Sequence, residues 1–487
     1  MGRFGFLLTK PALILFVILG VSLTGVTNSN LGLLNQNDVR FKVQTPYARS
    51  YRLAQAATWL ARSGYDVAGV SHETGEIEVI TNNGGVKLLQ QQGLNGFFPR
   101  AEGFAGLDPR YLNPEKVETK LKAINKAFPQ LTRLEKIGTS LQGRAIWALL
   151  ISSTPQANDP RALLKPAIIF DGLHHAREVM TPEVVMDVAD TLLSNLATSP
   201  RAAQVVATWN IWVVPMVNVD GSNIVHTKDR MWRKNARANN GGVHGVDINR
   251  NYQYRWNGCD GSSGTTGAQD YRGTAPASEP ETQALIGLVN RVRPTASLSY
   301  HSYSELVLYS YGCNNTYTGE KAMVEKIGKE LAALLPSDSG KGTYEPGTPW
   351  ELLYDVDGDS MDHIYASTGA LSYTFEINQS FQPSYDLKEP TLKKHRGAWT
   401  YFFDRMDKNL LTIAAVDSKG NPVEAEIAID LVPHNQGELP LRTNAIGRFF
   451  KVLDPGNYVI TAKTAGGATT TVKVTMSAQP KTVTVKF

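Results

Sequence analysis

Two histidines and two glutamates lie just beyond apolar runs that read as buried strands. Ile168-Ile-Phe-Asp-Gly leads into Leu173-His-His-Ala-Arg-Glu, Leu298-Ser-Tyr leads into His301, and Leu371-Ser-Tyr-Thr-Phe leads into Glu376. Ligands of open α/β sheets bind beyond the carboxyl ends of the strands, so these positions are where chemistry is expected. His175 and Glu178 stand three residues apart, a spacing at which an imidazole and a carboxylate turn toward one point. With His301 they form a set of two histidines and one glutamate. Three such protein ligands plus one open position for water is the usual catalytic zinc arrangement. His174 is an alternative ligand, although no acid follows it three residues on. Taken alone, His175 and Glu178 read more simply as a surface ion pair, and His301 as a buried, hydrogen-bonded histidine.

The elements that must position these residues lie between about 111 and 408. Ala145–Ile151, Ala167–Phe170, Ile211–Val217 and Ala296–Tyr300 are apolar runs of the buried-strand type. Helical spacing marks Val117 to Phe128 and the stretches near 181–197, 279–292, 320–334 and 389–407. The alternation predicts an α/β domain with a mixed, mostly parallel sheet flanked by helices. Before it, 38–98 reads as a small α/β unit, and Phe97 to Pro109 as an exposed linker rich in Gly, Pro and small residues. From about Leu411 short alternating strands recur at turn-punctuated spacing, which predicts a β-sandwich. The resulting division is 1–30, 31–110, 111–408 and 409–487.

Composition narrows the classes. With 42% hydrophobic and 19% charged residues in 487, the chain is not largely disordered. A net charge of +4 gives no reason to expect a nucleic-acid partner. Two cysteines exclude a disulfide scaffold and a four-cysteine zinc site. At the N-terminus Arg3 and Lys10 precede an apolar run from Ala12 to Leu23, followed by small and polar residues from Thr24 to Asn30. This reads as a secretory signal peptide, the run being shorter than the ~20 residues of a membrane span; a retained anchor is the alternative. The expected location is secreted or periplasmic, with no stable membrane association once the signal is removed. Export permits a disulfide between Cys259 and Cys313, and the sequence leaves open whether it forms.

Further motifs follow in order: Asn218-Val-Asp-Gly, Arg230-Met-Trp-Arg233-Lys, Asp247-Ile-Asn249-Arg250-Asn-Tyr, Tyr271-Arg-Gly-Thr-Ala-Pro, Tyr354, and Thr374-Phe-Glu376-Ile. Over nearly all of 111–408 the sequence resembles the zinc metallocarboxypeptidases related to pancreatic carboxypeptidase A. The resemblance implies one zinc ion (Zn2+) held by His175, Glu178 and His301, with Asp247 orienting a ligand imidazole. It implies Arg233 as the stabiliser of a developing oxyanion. Asn249 and Arg250 match the pair that grips the substrate's terminal carboxylate, and Tyr354 the tyrosine that closes over it. Arg177, Ser302 and Tyr303 match residues of outer subsites, and Arg230 lies beside the carboxylate-binding group. Glu376, a carboxylate at the end of an apolar strand, matches the general base. By the same likeness Met361 falls at the position that selects the terminal side chain, implying apolar or broad preference. Asp355, Asp357, Asp359 and Asp362 crowd that segment, and any facing inward would favour Lys or Arg.

The expected substrates are C-termini of peptides and proteins, and the expected state is a monomer. The unit at 31–110 sits where secreted relatives carry an inhibitory propeptide, implying a zymogen and an activating protease that cuts after Arg100 or Arg110. The C-terminal sandwich resembles transthyretin-like modules. Two other functions stay open: a zinc peptidase acting on peptidoglycan stem peptides at a diaminopimelate bond, and an inactive carbohydrate- or protein-binding module of the same fold.

Overall fold

The N-terminal unit is built from β1 (Asp38–Gln44), α1 (Tyr51–Arg62), β2 (Asp66–Ser71), β3 (Glu76–Asn82), α2 (Asn83–Gln91) and β4 (Gly96–Phe97). Its antiparallel sheet has the order β2-β3-β1-β4. Ser50 caps α1 by accepting from the Arg52 N–H, and Leu53, Ala54, Ala57 and Leu60 form its buried stripe. That core is not private to the unit. Phe41, Leu53, Leu60 and Val79 share one apolar cluster with Leu306, Leu308, Leu353 and Met361 of the next unit.

The computed structural model describes residues 38–487 apart from 49, 99–106, 158 and 314. The stretch expected to be a signal peptide and Arg100 therefore lie outside the described residues. Arg110 is exposed and pairs with Asp108 at 2.7 Å and Asp386 at 3.3 Å. No helix among the described residues is long and apolar enough to cross a membrane.

The middle unit follows the predicted alternation. Its helices are α3 (Pro114–Ala127), α4 (Thr181–Ser194), α5 (Pro200–Thr208), α6 (Val219–Thr227), α7 (Pro280–Val292), α8 (Lys321–Ala333), α9 (Pro349–Leu352), α10 (Ser360–Thr368) and α11 (Lys388–Asn409). Its strands are β5 (Thr132–Thr139), β6 (Ala145–Ile151), β7 (Ala167–Gly172), β8 (Asn210–Val214), β9 (Ala296–His301), β10 (Leu306–Tyr309), β11 (Glu345–Gly347) and β12 (Leu371–Glu376). They form one mixed sheet in the order β11-β10-β12-β9-β7-β8-β6-β5. The central run β12-β9-β7-β8 is parallel. Helices cover both faces: α4 and α11 pack on one side, α7 and α10 on the other. Residues of both parities along the central strands are thus buried, which is why those strands read as continuous apolar runs. Register then fixes the chemistry. Glu376 is the partner of His301 across β12 and β9, and Gly172 pairs with Tyr300 one rung earlier.

Three strands are not evident in the sequence. β5 is an edge strand that mixes charged and apolar residues, and β10 and β11 are only four and three residues long.

At its end α11 passes directly into β13 (Leu410–Val416). With β14 (Ala425–Ile429), β15 (Leu441–Arg442), β16 (Arg448–Val452), β17 (Gly456–Thr464), β18 (Thr469–Met476) and β19 (Lys481–Lys486) it makes two sheets. Their orders are β16-β13-β19 and β15-β14-β17-β18, and they share one apolar core. Buried polar contacts fasten this sandwich to the middle unit. Lys451 pairs with Glu320 and donates to the Gly369 carbonyl, with only 2% and 6% exposure on the two partners. Tyr311 donates to Glu438, and the Leu439 N–H to the Ala366 carbonyl at 2.9 Å.

The Lys451–Glu320 pair yields a prediction. Lys451→Met leaves Glu320 buried without its counter-charge, and denaturant unfolding should show a loss of about 3–5 kcal/mol. An unchanged midpoint would mean that the pair does not fasten the two units.

Candidate active site

The loop after β7, the end of β9 and the end of β12 deliver the expected residues to one place. His175 Nδ1 lies 2.7 Å from Glu178 Oε1 and 3.2 Å from His301 Nδ1. His301 Nδ1 and Glu178 Oε2 approach to 3.1 Å, yet Oε2 has no aligned hydrogen bond. All three ligand atoms lie within 4.8 Å of one another, and all three residues are buried. Asp247 Oδ1 faces His175 Nε2 at 3.2 Å. A proton held there leaves Nδ1 as a lone pair aimed into the cluster. Two imidazole nitrogens and a carboxylate turned inward without enough protons to satisfy one another fit a divalent cation, and the donor types fit zinc.

His174 is not part of this set, which closes the alternative raised by the sequence. Its Nε2 contacts the Tyr252 hydroxyl at 2.8 Å, and its ring stacks on His301 at 5.3 Å. Behind it Asp171 accepts from the Ser299 hydroxyl at 2.6 Å, and burial raises its carboxyl to about 7. Neither contact has a sequence signal beyond the adjacency of the two histidines.

The charges around the cluster are arranged in opposition. Arg233 donates to Asp247 Oδ2 from Nε at 3.1 Å and Nη2 at 2.8 Å. Burial alone would raise Asp247, but Arg233, with His175 and Arg250, holds it well below the usual carboxylate range. Glu178 is likewise lowered against its burial by His175 and His301. Glu376 goes the other way. Burial and the neighbouring Glu178 push it well above the usual range, and Arg233 and Arg250 only partly offset them.

Asn249 and Arg250 sit on a short 3-10 turn capped by Asp247, which accepts from the Asn249 N–H at 2.9 Å. Asn249 Oδ1 accepts from the Ser360 N–H at 3.0 Å, so its side-chain N–H groups remain as donors. Arg250 is 3% exposed; Nη1 donates to the Asn249 carbonyl, and Nε has no partner. Tyr354 lies with its ring centroid 6.0 Å from the Arg250 guanidinium. Gly358, at φ +65°, closes the next turn against Arg250; a Cβ there would stand 2.6 Å from the Arg250 carbonyl.

The segment after Tyr354 places its acids by backbone demand. Asp357 accepts from the Cys259 N–H at 3.0 Å, the Gly261 N–H at 3.1 Å and the Ser262 hydroxyl. Asp355 pairs with Arg62 at 3.0 Å. Asp359 caps α10 and Asp362 accepts from the Gly312 N–H, each keeping one buried oxygen without a partner. Burial raises both, Asp359 to about 6. Cys259 and Cys313 are joined beside this segment, with Cα atoms 6.4 Å apart. Met361 is 3% exposed and belongs to the apolar cluster shared with the N-terminal unit.

That unit also meets the outer residues. Asp66, which carries no sequence signal, binds Arg177 through two hydrogen bonds of 2.7 and 2.9 Å. The Arg177 guanidinium lies 4.1 Å from the Phe381 ring centroid. Tyr303 packs on Phe381 and on the β2 backbone, where a Cβ on Gly69 would stand 2.6 Å from its ring. Ser302 is buried beside it, and the Arg230 carbonyl accepts from Gln382. Between Tyr65, Asp66, Arg233, Arg250 and Tyr354 only about 30 Å³ is left. That is room for a water molecule but not for an amino-acid residue.

The model of the zinc carboxypeptidase family matches residues 117–396. Metallocarboxypeptidase A of Trichophyton tonsurans is 35% identical over 258 residues, 51% of this chain and 60% of the relative. Carboxypeptidase B of Rattus norvegicus is 33% identical over 279 residues, 56% of this chain and 64% of the relative. The chain thus spans less than two thirds of the length of these relatives. Carboxypeptidase A from Helicoverpa armigera shares the fold, with a TM-score of 0.64 at 21% identity over 75% of this chain and 96% of that one. Bovine thrombin-activatable fibrinolysis inhibitor, solved with tick carboxypeptidase inhibitor, gives 0.54 at 25% identity over 60% of this chain and 95% of that one.

The Asp247–His175 contact makes a prediction about metal affinity. Asp247→Asn should weaken zinc binding about 10–100-fold, read by competition with a chromogenic chelator. Wild-type affinity in that variant would remove Asp247 from the support of the site.

Proposed function

The chain belongs to the zinc carboxypeptidase family, and on that premise we propose that it is an exopeptidase hydrolysing the C-terminal bond of peptides and proteins. We further infer that it is exported and held inactive by its N-terminal unit. The observation that carries this reading is a buried arginine, Arg250, with an unused Nε–H, close enough to act on Asp247 and Glu376, which flank the His175, Glu178 and His301 donor set. A guanidinium is suited to gripping a carboxylate through two hydrogen bonds, so the site is equipped to read a chain end.

His175, Glu178 and His301 would hold the zinc ion, which when bound would supply Lewis acidity to the scissile carbonyl and the attacking water. Asn249 and Arg250 hold the terminal carboxylate and set which bond is presented. Glu376 accepts the water's proton at its carboxylate and returns it to the leaving amine. Arg233 turns an N–H toward the developing oxyanion; its Nε and Nη2 now point at Asp247, so this role falls to Nη1 or follows a small rotation. Tyr354, next to Arg250, closes over the bound end.

Inhibition by the N-terminal unit is supported by the Asp66–Arg177 pair and by the small space left in the cleft. The basic and apolar N-terminal stretch and the Cys259–Cys313 bond both support export. Cleavage after Arg100 or Arg110 would free the cleft. For specificity, Asp357 is occupied by the Cys259 and Gly261 N–H groups and Met361 is apolar, which supports an apolar or broad terminal residue; Asp355 is held by Arg62 only while the N-terminal unit is in place.

Two experiments test the reading. Peptides differing only in their last residue are incubated with the full chain before and after trypsin, with and without a zinc chelator, and read by mass spectrometry. Single-residue trimming should appear after trypsin and vanish with chelator, and Glu376→Gln should lower kcat about 10²–10⁴-fold. Absence of trimming under every condition would overturn the proposal. On C-terminal Leu or Phe, kcat/KM should exceed that on Lys by about tenfold or more. A Lys preference that disappears in Asp359→Asn would assign the pocket to basic residues instead.

A further inference from the structure

A second concave site lies far from the cleft, at the other end of the same strands. A groove of about 770 Å³ opens where the sandwich meets the middle unit. Its walls include Ala167 and Asn210, the first residues of β7 and β8, and Thr368 just before β12. The metal-site residues lie at or beyond the carboxyl ends of β7, β9 and β12, so the groove is separated from them by the length of the sheet.

The groove is strongly cationic. Arg133, Lys165, Arg291, Arg293, Arg442 and Arg448 line it, and Asp159 is the one acidic residue among its lining. Asp159 is held by Arg161 at 2.6 Å. Three of the cations are matched elsewhere. Glu135 pairs with both Arg133 and Arg291 at 2.6 Å, and their guanidinium groups flank the buried Trp212 ring at 5.6 and 5.3 Å. Arg442 pairs with Glu426 at 2.7 Å.

Lys165, Arg293 and Arg448 are different: none has a carboxylate within ion-pair distance among the described residues. Two of them are nonetheless held in place by neutral groups. Lys165 Nζ donates to the Ser152 and Ser153 hydroxyls at 3.2 and 2.6 Å. Arg293 Nη1 donates to the carbonyls of Arg442 and Thr443 at 3.1 and 2.9 Å. Burial lowers the pKa of Lys165, which is half-buried, and of Arg293, which stands at the exposed rim. A solvated basic surface would leave such side chains loose and apart. Here Lys165 and Arg293 are held in one concavity with Arg448, and Asp159 and Glu424 act on the first two only from beyond ion-pair distance.

We propose that this groove binds a polyvalent oxyanion, a ligand bearing two or more phosphate or sulfate groups, with Lys165, Arg293 and Arg448 as its main contacts. Several charged oxygens on one molecule match several fixed cations better than one carboxylate does, and guanidinium groups pair with such oxygens through two hydrogen bonds. The volume suits a ligand of a few such groups. Both units contribute contacts, so binding would clamp the sandwich to the sheet without entering the cleft.

The test is calorimetric titration of the full chain with sodium tripolyphosphate and, separately, sucrose octasulfate, at low and high salt. Saturable binding that weakens with salt is expected. Lys165→Gln and Arg448→Gln should each lower affinity about tenfold, with Arg448→Lys restoring part of it. Arg250→Gln, in the cleft, should bind both probes as wild type does. Unchanged thermal melting of the two glutamine variants will show that they fold. Tighter binding of one probe assigns the ligand to phosphate or to sulfate, and equal binding assigns recognition to charge. The proposal is overturned if neither probe binds at millimolar concentration, if the Lys165→Gln/Arg448→Gln double variant binds as wild type, or if Arg250→Gln abolishes binding.

Discussion

A carboxylate at the end of a buried strand must be neutralised by something, and the site is organised around that requirement. Glu376 and Glu178 lie beside His301 and His175, with Asp247 directly behind. Arg233 and Arg250 supply fixed positive charge, but Glu376 stays raised and Glu178 keeps an oxygen without an aligned donor. The inward-facing donor atoms of His175, Glu178 and His301 lie close together without enough protons to satisfy one another, an arrangement that a divalent cation would complete. Around them the turn at Asp247 and the capped start of α10 each hold a charged or polar group in a fixed position.

The N-terminal unit meets this site on both chemical terms at once. Asp66 binds Arg177 through two hydrogen bonds, and the shared apolar cluster covers Leu306, Leu308 and Met361. A polar lock alone would exchange readily with water, and an apolar cover alone would lack direction. Together they fix the unit over the cleft in one orientation.

Much of the arrangement is legible in the sequence, for identifiable reasons. Strands buried on both faces must be apolar throughout, so a His or Glu at their ends is conspicuous. His175, Glu178, His301 and Glu376 become candidates on that ground, and the motifs that follow them in order are what set them apart from an ordinary ion pair. The order and register of the strands, which bring Glu376 beside His301, are set by long-range pairing that no local pattern encodes. Asp66 is invisible for a related reason: an acid in an ordinary strand acquires meaning only when another unit docks on it. The acids after Tyr354 illustrate the reverse. Any of the four facing inward would favour a basic residue, but Asp357 is consumed by neighbouring N–H groups through a turn geometry the composition does not specify, and Asp355 by Arg62 of the docked N-terminal unit. β5 is hidden because an edge strand has one open side and tolerates charge.

The parallel run of the central strands has a consequence for how the molecule faces its surroundings. β7 has six residues, about 20 Å at strand rise, and it connects the cationic groove at its start to the loop of the candidate metal site at its end. α11 continues into β13 without an intervening loop, and the Lys451–Glu320 pair closes the same joint from the other side. The groove and the cleft therefore stand at opposite ends of one strand. Any large anionic surface that captured the groove would hold the molecule with its back to that surface and its mouth to the solution, giving an immobilised enzyme a fixed outward polarity.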